Sequence, residues 1–225
     1  MSKSVKLIEC FQSYQGEGPN SGMAMIILRF KTCNLHCPWC DTSVKMRISM
    51  EAPYELVEIQ KQIYETKSGI LVTGGEPTVK RHFNDAVTLL NELDYPIANL
   101  ESNGYKLFEL IEQIDPTKPI NYIYSPKIFD VNDLNIATEN TKKLFEKFSD
   151  KVFIKVVYED RTVLLNYLDW LTKEINKVGM YDKVWLMPEG TNRADLIKNS
   201  SAVIDACEKY RFNFSTRTHV IFGFI

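Results

Sequence analysis

Short apolar runs alternate along the chain with stretches in which apolar residues recur every three or four positions. The runs, rich in β-branched and aliphatic residues, predict strands at residues 5–9, 25–30, 70–73, 97–101, 120–125, 152–157 and 184–187. Three stretches place their apolar residues on one helical face, namely Leu56, Ile59 and Ile63; Val87, Leu90 and Leu93; and Leu107, Leu110, Ile111 and Ile114. Further helices are predicted at residues 140–148, 162–177 and 194–210.

This alternation of strands and helices predicts an α/β fold with a mostly parallel sheet. A full eight-unit βα barrel typically needs about 250 residues, and this chain has 225. Some early units also have loops in place of helices. We therefore expect a partial, open βα barrel of about six parallel strands. No linker, low-complexity tract or repeat divides the chain, so residues 1–225 are predicted to form a single domain.

The composition is that of a globular enzyme, with 44% hydrophobic and 25% charged residues. A net charge of -2 gives no signal for binding nucleic acid. The apolar run at residues 23–28 is far shorter than the ~20 residues of a membrane span, so no membrane partner is expected. Five cysteines, an odd number, argue against a secreted disulfide framework and predict a cytoplasmic location.

Three of the cysteines, Cys33, Cys37 and Cys40, share one loop at residues 31–42, which we call the cysteine loop. Pro38 and the lack of a helical or strand period identify the segment as a loop. Three interpretations of these cysteines are open. They are buried apolar residues, or ligands of a zinc ion completed by a fourth residue, or ligands of an iron-sulfur cube with one open iron. The last interpretation is favoured, because the chain has no second Cys-x-x-Cys pair.

Polar or glycine-rich motifs follow three predicted strands at their carboxyl ends, where parallel α/β enzymes gather functional residues. They are Gly74, Gly75 and Glu76; Glu101, Ser102 and Asn103; and Ser125 with Lys127. Each has a structural alternative. The glycines suit a tight turn, the second group suits a capping or turn cluster, and the lysine is able to extend to solvent.

The three cysteines Cys33, Cys37 and Cys40, which we call the triad, with Trp39 before the last of them, resemble the cysteine motif of the radical S-adenosylmethionine (SAM) enzymes. This resemblance implies a 4Fe-4S cluster whose open iron binds SAM, reductive cleavage of that cofactor, and the same partial barrel with shortened or replaced helices. It also implies that residues 73–77 (TGGEP) bind the methionyl amino group, that residues 101–103 bind the ribose, and that Ser125 and Lys127 bind the carboxylate.

Residues 11–19 (FQSYQGEGP), 28–30 (LRF), 33–42 (CNLHCPWCDT), 185–190 (WLMPEG) and 215–219 (STRTH) together resemble the 7-carboxy-7-deazaguanine synthase family. The resemblance implies ring contraction of 6-carboxy-5,6,7,8-tetrahydropterin with loss of ammonia, in the biosynthesis of queuosine-type or archaeosine-type 7-deazaguanines. It also implies a flavodoxin or ferredoxin as electron donor, and Mg²⁺ bound by Thr42. Capping of a following helix is the alternative for Thr42.

A pterin presents a guanidine-like edge of donors and, in this substrate, a carboxylate. Glu17 and Gln15, with the backbone of Tyr14 and Gly16, suit the edge, and Arg29 suits bidentate contact with the carboxylate. A surface ion pair is the alternative for Arg29.

His219 and Arg217 are expected to close the substrate pocket, although a structural role suits His219 equally. The C-terminal segment at residues 211–225 is expected to close the site or to form a homodimer interface. Cys10 and Cys207 are interpreted as core residues. Two other functions are alternatives: a glycyl-radical enzyme activase, which shares the triad, and a non-enzymatic iron-sulfur electron carrier.

Overall fold

The computed structural model describes residues 3–177 and 179–224, with only the backbone of Lys45. These residues form two compact units. The first comprises the residues up to Gln15 together with Gly22–Ile123, and the second comprises Gly16–Ser21 together with the residues from Tyr124 onward.

The first unit contains seven strands among its described residues. They are β1 (Ser4–Leu7), β2 (Glu9–Tyr14), β3 (Ala24–Phe30), β4 (Ala52–Glu55), β5 (Gly69–Gly74), β6 (Ala98–Ser102) and β7 (Ile120–Tyr124), whose last residue is counted with the second unit. Its helices are α1 (Ser43–Ile48), α2 (Leu56–Thr66), α3 (Phe83–Glu92) and α4 (Leu107–Ile111). The main sheet runs in the order β2-β3-β5-β6-β7. β2 is antiparallel to β3, β3–β5 and β5–β6 are parallel, and β1 and β4 form a separate antiparallel pair.

The second unit contains β8 (Val152–Tyr158), β9 (Val184–Pro188) and β10 (Asn213–Phe214), which lie side by side in that order. Both of its strand pairs, β8–β9 and β9–β10, are parallel. Its helices are α5 (Val131–Phe148), α6 (Thr162–Asn176), α7 (Arg193–Tyr210) and α8 (Thr218–Phe222). Across the described residues, neither unit's strands close into a barrel.

The parallel strands form the core of each unit. In β3 and β5 the side chains of Leu28, Ile70 and Val72 are fully buried, as parallel strands covered on both faces require. α2 buries Leu56, Ile59 and Ile63, the three residues predicted to share its apolar face. In the second unit, β8 and β9 bury Val152, Ile154, Val184 and Leu186. The predicted α/β class with a mostly parallel sheet is therefore confirmed.

Near the N-terminus, one predicted strand is wrong and one strand was missed. The strand predicted at residues 5–9 is interrupted at Ile8, so that β1 pairs with β4 and β2 pairs with β3. β2 itself was not predicted, because most of its residues are half-buried or exposed and produce no apolar alternation.

α5 begins at Val131 instead of residue 140, because local hydrogen bonds cap its start. The Asp130 carboxylate accepts a hydrogen bond from Asp133 N at 2.9 Å, and the Asp133 carboxylate accepts one from Phe129 N at 2.9 Å. These two hydrogen bonds stabilise a first turn whose residues have low helix propensity. In the described part of the chain, no helix combines the length and apolarity needed to cross a bilayer.

Two helices end at non-glycine residues in the left-handed conformation, Lys67 after α2 (φ 53°) and Arg211 after α7 (φ 59°). A Cβ in this conformation costs roughly 1–2 kcal/mol, and the greater freedom of glycine in the unfolded chain offsets about 0.4–1 kcal/mol of that. We expect Lys67→Gly and Arg211→Gly each to raise the free energy of unfolding by about 0.5 kcal/mol.

Urea denaturation measures both changes. Ser149→Gly is the matched control, because Ser149 ends α5 in the right-handed conformation (φ -56°) and glycine there should lower stability. Equal effects of all three substitutions would contradict the explanation.

Candidate active site

The cysteine loop leaves the carboxyl end of β3, and its three cysteines are partly buried and free of disulfides. Cys40 N donates a hydrogen bond to Cys37 O at 3.1 Å, which closes a turn between the last two cysteines. In the described residues, no three His, Cys, Asp or Glu side chains converge as ligands of one metal ion. In a 4Fe-4S cube each cysteine binds a different iron, so the sulfurs need not converge on one point.

The first cysteine of the loop accepts hydrogen bonds through its sulfur. Leu35 N lies 3.4 Å and Asn103 Nδ2 lies 3.8 Å from Cys33 Sγ. Asn103 Nδ2 also donates to Asn34 Oδ1 at 2.9 Å. Asn103, predicted to bind cofactor, therefore lies beside the first cysteine.

Gly74 and Gly75 lie directly against the start of the cysteine loop. Gly74 has φ +124°, and a Cβ there would lie 2.4 Å from Phe30 N. A Cβ on Gly75 would lie 2.3 Å from Thr32 O. Gly75 N donates to Phe30 O at 2.9 Å. The structure thus requires glycine at both positions, because Gly74 has a positive φ and Gly75 lies too close to the neighbouring backbone for a side chain.

Glu76 is almost fully buried and joins two loops. Its carboxylate accepts hydrogen bonds from Thr78 N (3.0 Å), Thr78 Oγ1 (2.7 Å), Ser102 Oγ (2.7 Å) and Asn103 N (2.6 Å). Burial raises the pKa of Glu76, and these hydrogen bonds oppose the rise. The carboxylate therefore ties the loop after β5 to the loop after β6.

In the motif after β6, Ser102 takes part in a turn, whereas Glu101 contacts the end of β5. Ser102 Oγ donates to Glu76 and accepts a hydrogen bond from Gly104 N at 3.0 Å, as the turn-cluster alternative requires. Glu101 Oε2 accepts a hydrogen bond from Thr73 Oγ1 at 3.1 Å, which fixes its side chain beside the end of β5.

The residues predicted to bind substrate from the first unit have contrasting surroundings. Arg29 Nε donates to Glu9 Oε2 at 2.7 Å, across the β2–β3 pair in which the two residues are register partners. Arg29 therefore forms an ion pair, which was the alternative to a role in substrate binding. Gln15 is buried, and its Nε2 has no hydrogen-bond partner among the described residues. A buried amide without a partner is costly, so this donor suits a ligand acceptor. Tyr14, before it, is exposed.

Thr42 is buried at the start of α1. Its Oγ1 donates to Asp41 Oδ1 at 3.0 Å, and its backbone O accepts from Met46 N at 2.9 Å. The hydroxyl and the neighbouring carboxylate are hard oxygen donors of the kind that Mg²⁺ binds, and Thr42 also stands at the beginning of the helix.

Glu17, in the second unit, lies among buried positive charges. Lys155 Nζ is 2.6 Å from Glu17 Oε2, and Arg217 Nε is 2.9 Å from Glu17 Oε1. The side chains of Lys155 and Arg217 are 5% and 7% exposed. Burial alone would raise the pKa of Glu17, but Lys155 and Arg217 hold it below its usual range. Glu17 is therefore ionised at neutral pH.

Sequence reasoning missed Lys155. The available signal was a lysine at the centre of the apolar run of β8, where a charged side chain needs a partner. The partner lies 138 positions away in the sequence, and no local pattern indicates such a pairing.

Residues 215–219 hold the loop that carries Glu17. Ser215 Oγ accepts from Gly18 N at 2.7 Å, and Thr218 N donates to Gly16 O at 3.0 Å. The His219 ring lies against Gly16 so closely that a Cβ there would be 1.9 Å from its Nδ1. His219 and Arg217, which were predicted to close the substrate pocket, thus both lie beside the loop at residues 16–18, the 16–18 loop, within this unit.

Ser125 and Lys127 contact each other in the second unit. Lys127 Nζ donates to both Ser125 O and Ser125 Oγ at 2.7 Å, and the lysine side chain is partly buried. The ammonium group is thus held over the end of β7 and does not extend freely into solvent.

Removal of one partner from the Glu17 cluster should be strongly destabilising. We expect Lys155→Met to lower the free energy of unfolding by about 3 kcal/mol, because the carboxylate of Glu17, whose side chain is only 14% exposed, loses one of its two cations. Glu17→Gln combined with Lys155→Met should cost less than the sum of the single changes. Lys143→Met is the control, because Lys143 and Glu139 also lie 2.6 Å apart but are exposed, so no measurable change is expected. Additivity in the double variant would contradict the assignment.

The same cluster predicts a pH dependence of stability. Because the pKa of folded Glu17 is lowered, its ionisation stabilises the fold above its ordinary pKa of 4.5, and this contribution is lost as the pH falls below that value. We expect wild-type stability to fall more steeply between neutral and acid pH than that of Glu17→Gln. Parallel curves in denaturation at several pH values would exclude this role.

Comparisons with known proteins agree with this geometry. A family model described as the Radical SAM superfamily matches residues 27–159, which is more than half of the chain. A 7-carboxy-7-deazaguanine synthase of Hyperthermus butylicus is 26% identical over 224 residues, covering 96% of this chain and 92% of that protein. One of Thermoplasma acidophilum is 30% identical, covering 74% of this chain and 76% of that protein.

The crystal structure of QueE from Escherichia coli shares the fold, with a TM-score of 0.56, 17% identity, and coverage of 96% of this chain and 95% of that one. The predicted α/β fold of radical SAM type is thereby confirmed. With the cysteine loop held at a strand end by the glycine motif, these matches show that the chain belongs to the Radical SAM superfamily and, within it, to the 7-carboxy-7-deazaguanine synthase family.

Proposed function

We propose that the protein converts 6-carboxy-5,6,7,8-tetrahydropterin to 7-carboxy-7-deazaguanine with release of ammonia. The observation that carries this proposal is the cysteine loop, held by the Gly74–Gly75 backbone, in a chain whose relatives of nearly equal length are named for that product. The substrate differs from the product by one molecule of ammonia, so the conversion needs no net oxidant.

Membership of the Radical SAM superfamily implies a 4Fe-4S cluster and SAM. When bound, these groups supply the one-electron chemistry that removes a hydrogen atom from the substrate. The donor set suits a cluster, because three thiols occupy one loop and N–H groups are directed at the first of them. Cys33, Cys37 and Cys40 are the proposed cluster ligands.

The proposed SAM-binding residues follow β5, β6 and β7. Gly74 and Gly75 remove side chains from the backbone beside the cysteine loop, and Glu76 with Ser102 fixes the two loops in place. Glu101 and Asn103 are proposed to contact the ribose and Lys127, oriented by Ser125, the methionyl carboxylate. The hydrogen bonds that fix Glu101 and Lys127 support these roles.

The proposed substrate contacts combine one anion with several donors and acceptors. Glu17 accepts from the guanidine-like edge, which suits a carboxylate kept ionised by two cations. Gln15 supplies its unpartnered amide, and the backbone of Tyr14 and Gly16 completes the edge contacts. Arg29 contacts the substrate carboxylate through the terminal nitrogens of its guanidinium, while Nε stays on Glu9. His219 contacts the substrate from the C-terminal segment.

Further features of the proposal concern Mg²⁺, partners and location. Thr42 is proposed to bind Mg²⁺ together with substrate oxygens and waters. A flavodoxin or ferredoxin is the proposed electron donor. The odd cysteine count supports a cytoplasmic location.

A homodimer involving the C-terminal segment is supported by the exposure of Phe222 and Phe224. Ile225, the end of the predicted segment, lies outside the described residues, as do Met1 and Ser2 of the predicted single domain. Sedimentation of a monomer at micromolar concentration would exclude the dimer.

Replacement of each cysteine in turn tests the proposed function. We expect Cys33→Ala, Cys37→Ala and Cys40→Ala each to lose most of the iron, which in the wild type should be about four atoms per chain, and to form no product. Cys10→Ala and Cys207→Ala are the controls; because burial raises the pKa of both thiols to about 11 and favours the protonated form, they should retain the cluster.

The measurement is anaerobic turnover with SAM, reductant, Mg²⁺ and the pterin, read by mass spectrometry. Formation of 5'-deoxyadenosine without 7-carboxy-7-deazaguanine would retain the radical chemistry and contradict the proposed substrate. Product formation by a variant of the cysteine loop would contradict the ligand assignment.

A further inference from the structure

His82 lies behind the cysteine loop, in a position that no motif indicated. It is 1% exposed and immediately precedes α3. Its Nε2 accepts a hydrogen bond from Thr32 N at 3.0 Å, and Thr32 is the residue before Cys33. The ring also stacks on Phe30, with centroids 4.8 Å apart and planes inclined by 26°. His82 therefore contacts the chain on both sides of Lys31, where β3 gives way to the loop.

Thr32 is held on both of its peptide planes. Its N–H, in the peptide that joins it to Lys31, donates to His82. Its C=O, in the peptide that joins it to Cys33, accepts from Glu76 N at 2.7 Å. Because each peptide unit is planar, fixing both planes fixes the two backbone dihedral angles of Thr32. Those angles set the direction in which the chain enters Cys33.

From this geometry we propose that His82 is a positioning residue for Cys33, acting through the backbone of Thr32. The inference rests on the cluster-binding role proposed above for Cys33. Without the His82 acceptor, the Thr32 N–H would be left without its partner and one of the two restraints on the entry to the loop would be lost.

The protonation state required of His82 agrees with its surroundings. An acceptor at Nε2 requires a neutral ring with its proton on Nδ1. Burial lowers the pKa of His82, as does the charge of Arg81, while Glu51 and Asp85 act in the opposite direction. A neutral ring at neutral pH follows from the dominant effect of burial.

A second explanation is that His82 only fills space against Phe30. Two substitutions separate the explanations. His82→Phe keeps an aromatic ring for stacking and removes the acceptor. His82→Gln removes the ring and offers a side-chain carbonyl oxygen as acceptor. Leu89→Ala, within α3 and fully buried, is the control for general loss of stability.

Two readouts are measured on the full chain. The first is the rate at which a reconstituted cluster loses its visible absorbance to an iron chelator. The second is the hydrogen-exchange rate of the Thr32 amide in the cluster-free protein, followed by NMR. We expect His82→Phe to accelerate both by about tenfold, as the loss of one buried hydrogen bond implies, and His82→Gln to remain closer to wild type. Leu89→Ala should lower the melting temperature and leave both rates near wild type.

Wild-type rates in His82→Phe would overturn the proposal. So would equal acceleration in His82→Phe and Leu89→Ala, since that result reflects general destabilisation. A wild-type protein that binds no cluster would contradict the proposed function, and the exchange rate of the Thr32 amide would still decide whether His82 holds the loop.

Discussion

The hydrogen bonds of Glu76 are the interactions on which the cysteine loop and the loops after β5 and β6 depend. A carboxylate removed from water is costly unless it is hydrogen-bonded, and here the donors come from Thr78, Ser102 and Asn103. Glu76 also donates a hydrogen bond from its backbone N–H to Thr32 O. Asn103 in turn reaches Asn34 and the sulfur of Cys33. Through its side chain and its backbone N–H, Glu76 thus joins the loops that follow β3, β5 and β6.

Glu76 and Glu17, two glutamates with little exposure, are stabilised in opposite ways. Glu76 is surrounded by neutral donors and its pKa is raised, whereas Glu17 is held by Lys155 and Arg217 and its pKa is lowered. Environments that separate the pKa values of chemically identical groups also separate their roles. Glu76 suits a structural role. Glu17, with its charge maintained, suits a ligand that presents several N–H donors in one plane.

The sequence was sufficient for the features that depend on local pattern. The α/β class, the buried strands β3 and β5 and the apolar face of α2 follow from periodicity, and the triad and the Gly-Gly pair follow from composition and spacing. It was insufficient where long-range pairing decides the outcome. β2 forms because it pairs with β3, and Lys155 is tolerated in β8 because Glu17 lies beside it. His82 gave no signal, since its partner is a backbone N–H far away in the sequence.

The 16–18 loop belongs to the second unit although it lies near the beginning of the chain. Its partners Ser215, Arg217 and Thr218 are made much later, since Glu17 and Arg217 are 200 positions apart. At ribosomal rates of about 5–20 residues per second, this loop waits for roughly ten seconds or more before its partners exist. Glu17 thus acquires both Lys155 and Arg217 as charge partners only after residue 217 has been made, and a chain that stops before Arg217 carries this part of the proposed substrate site unassembled.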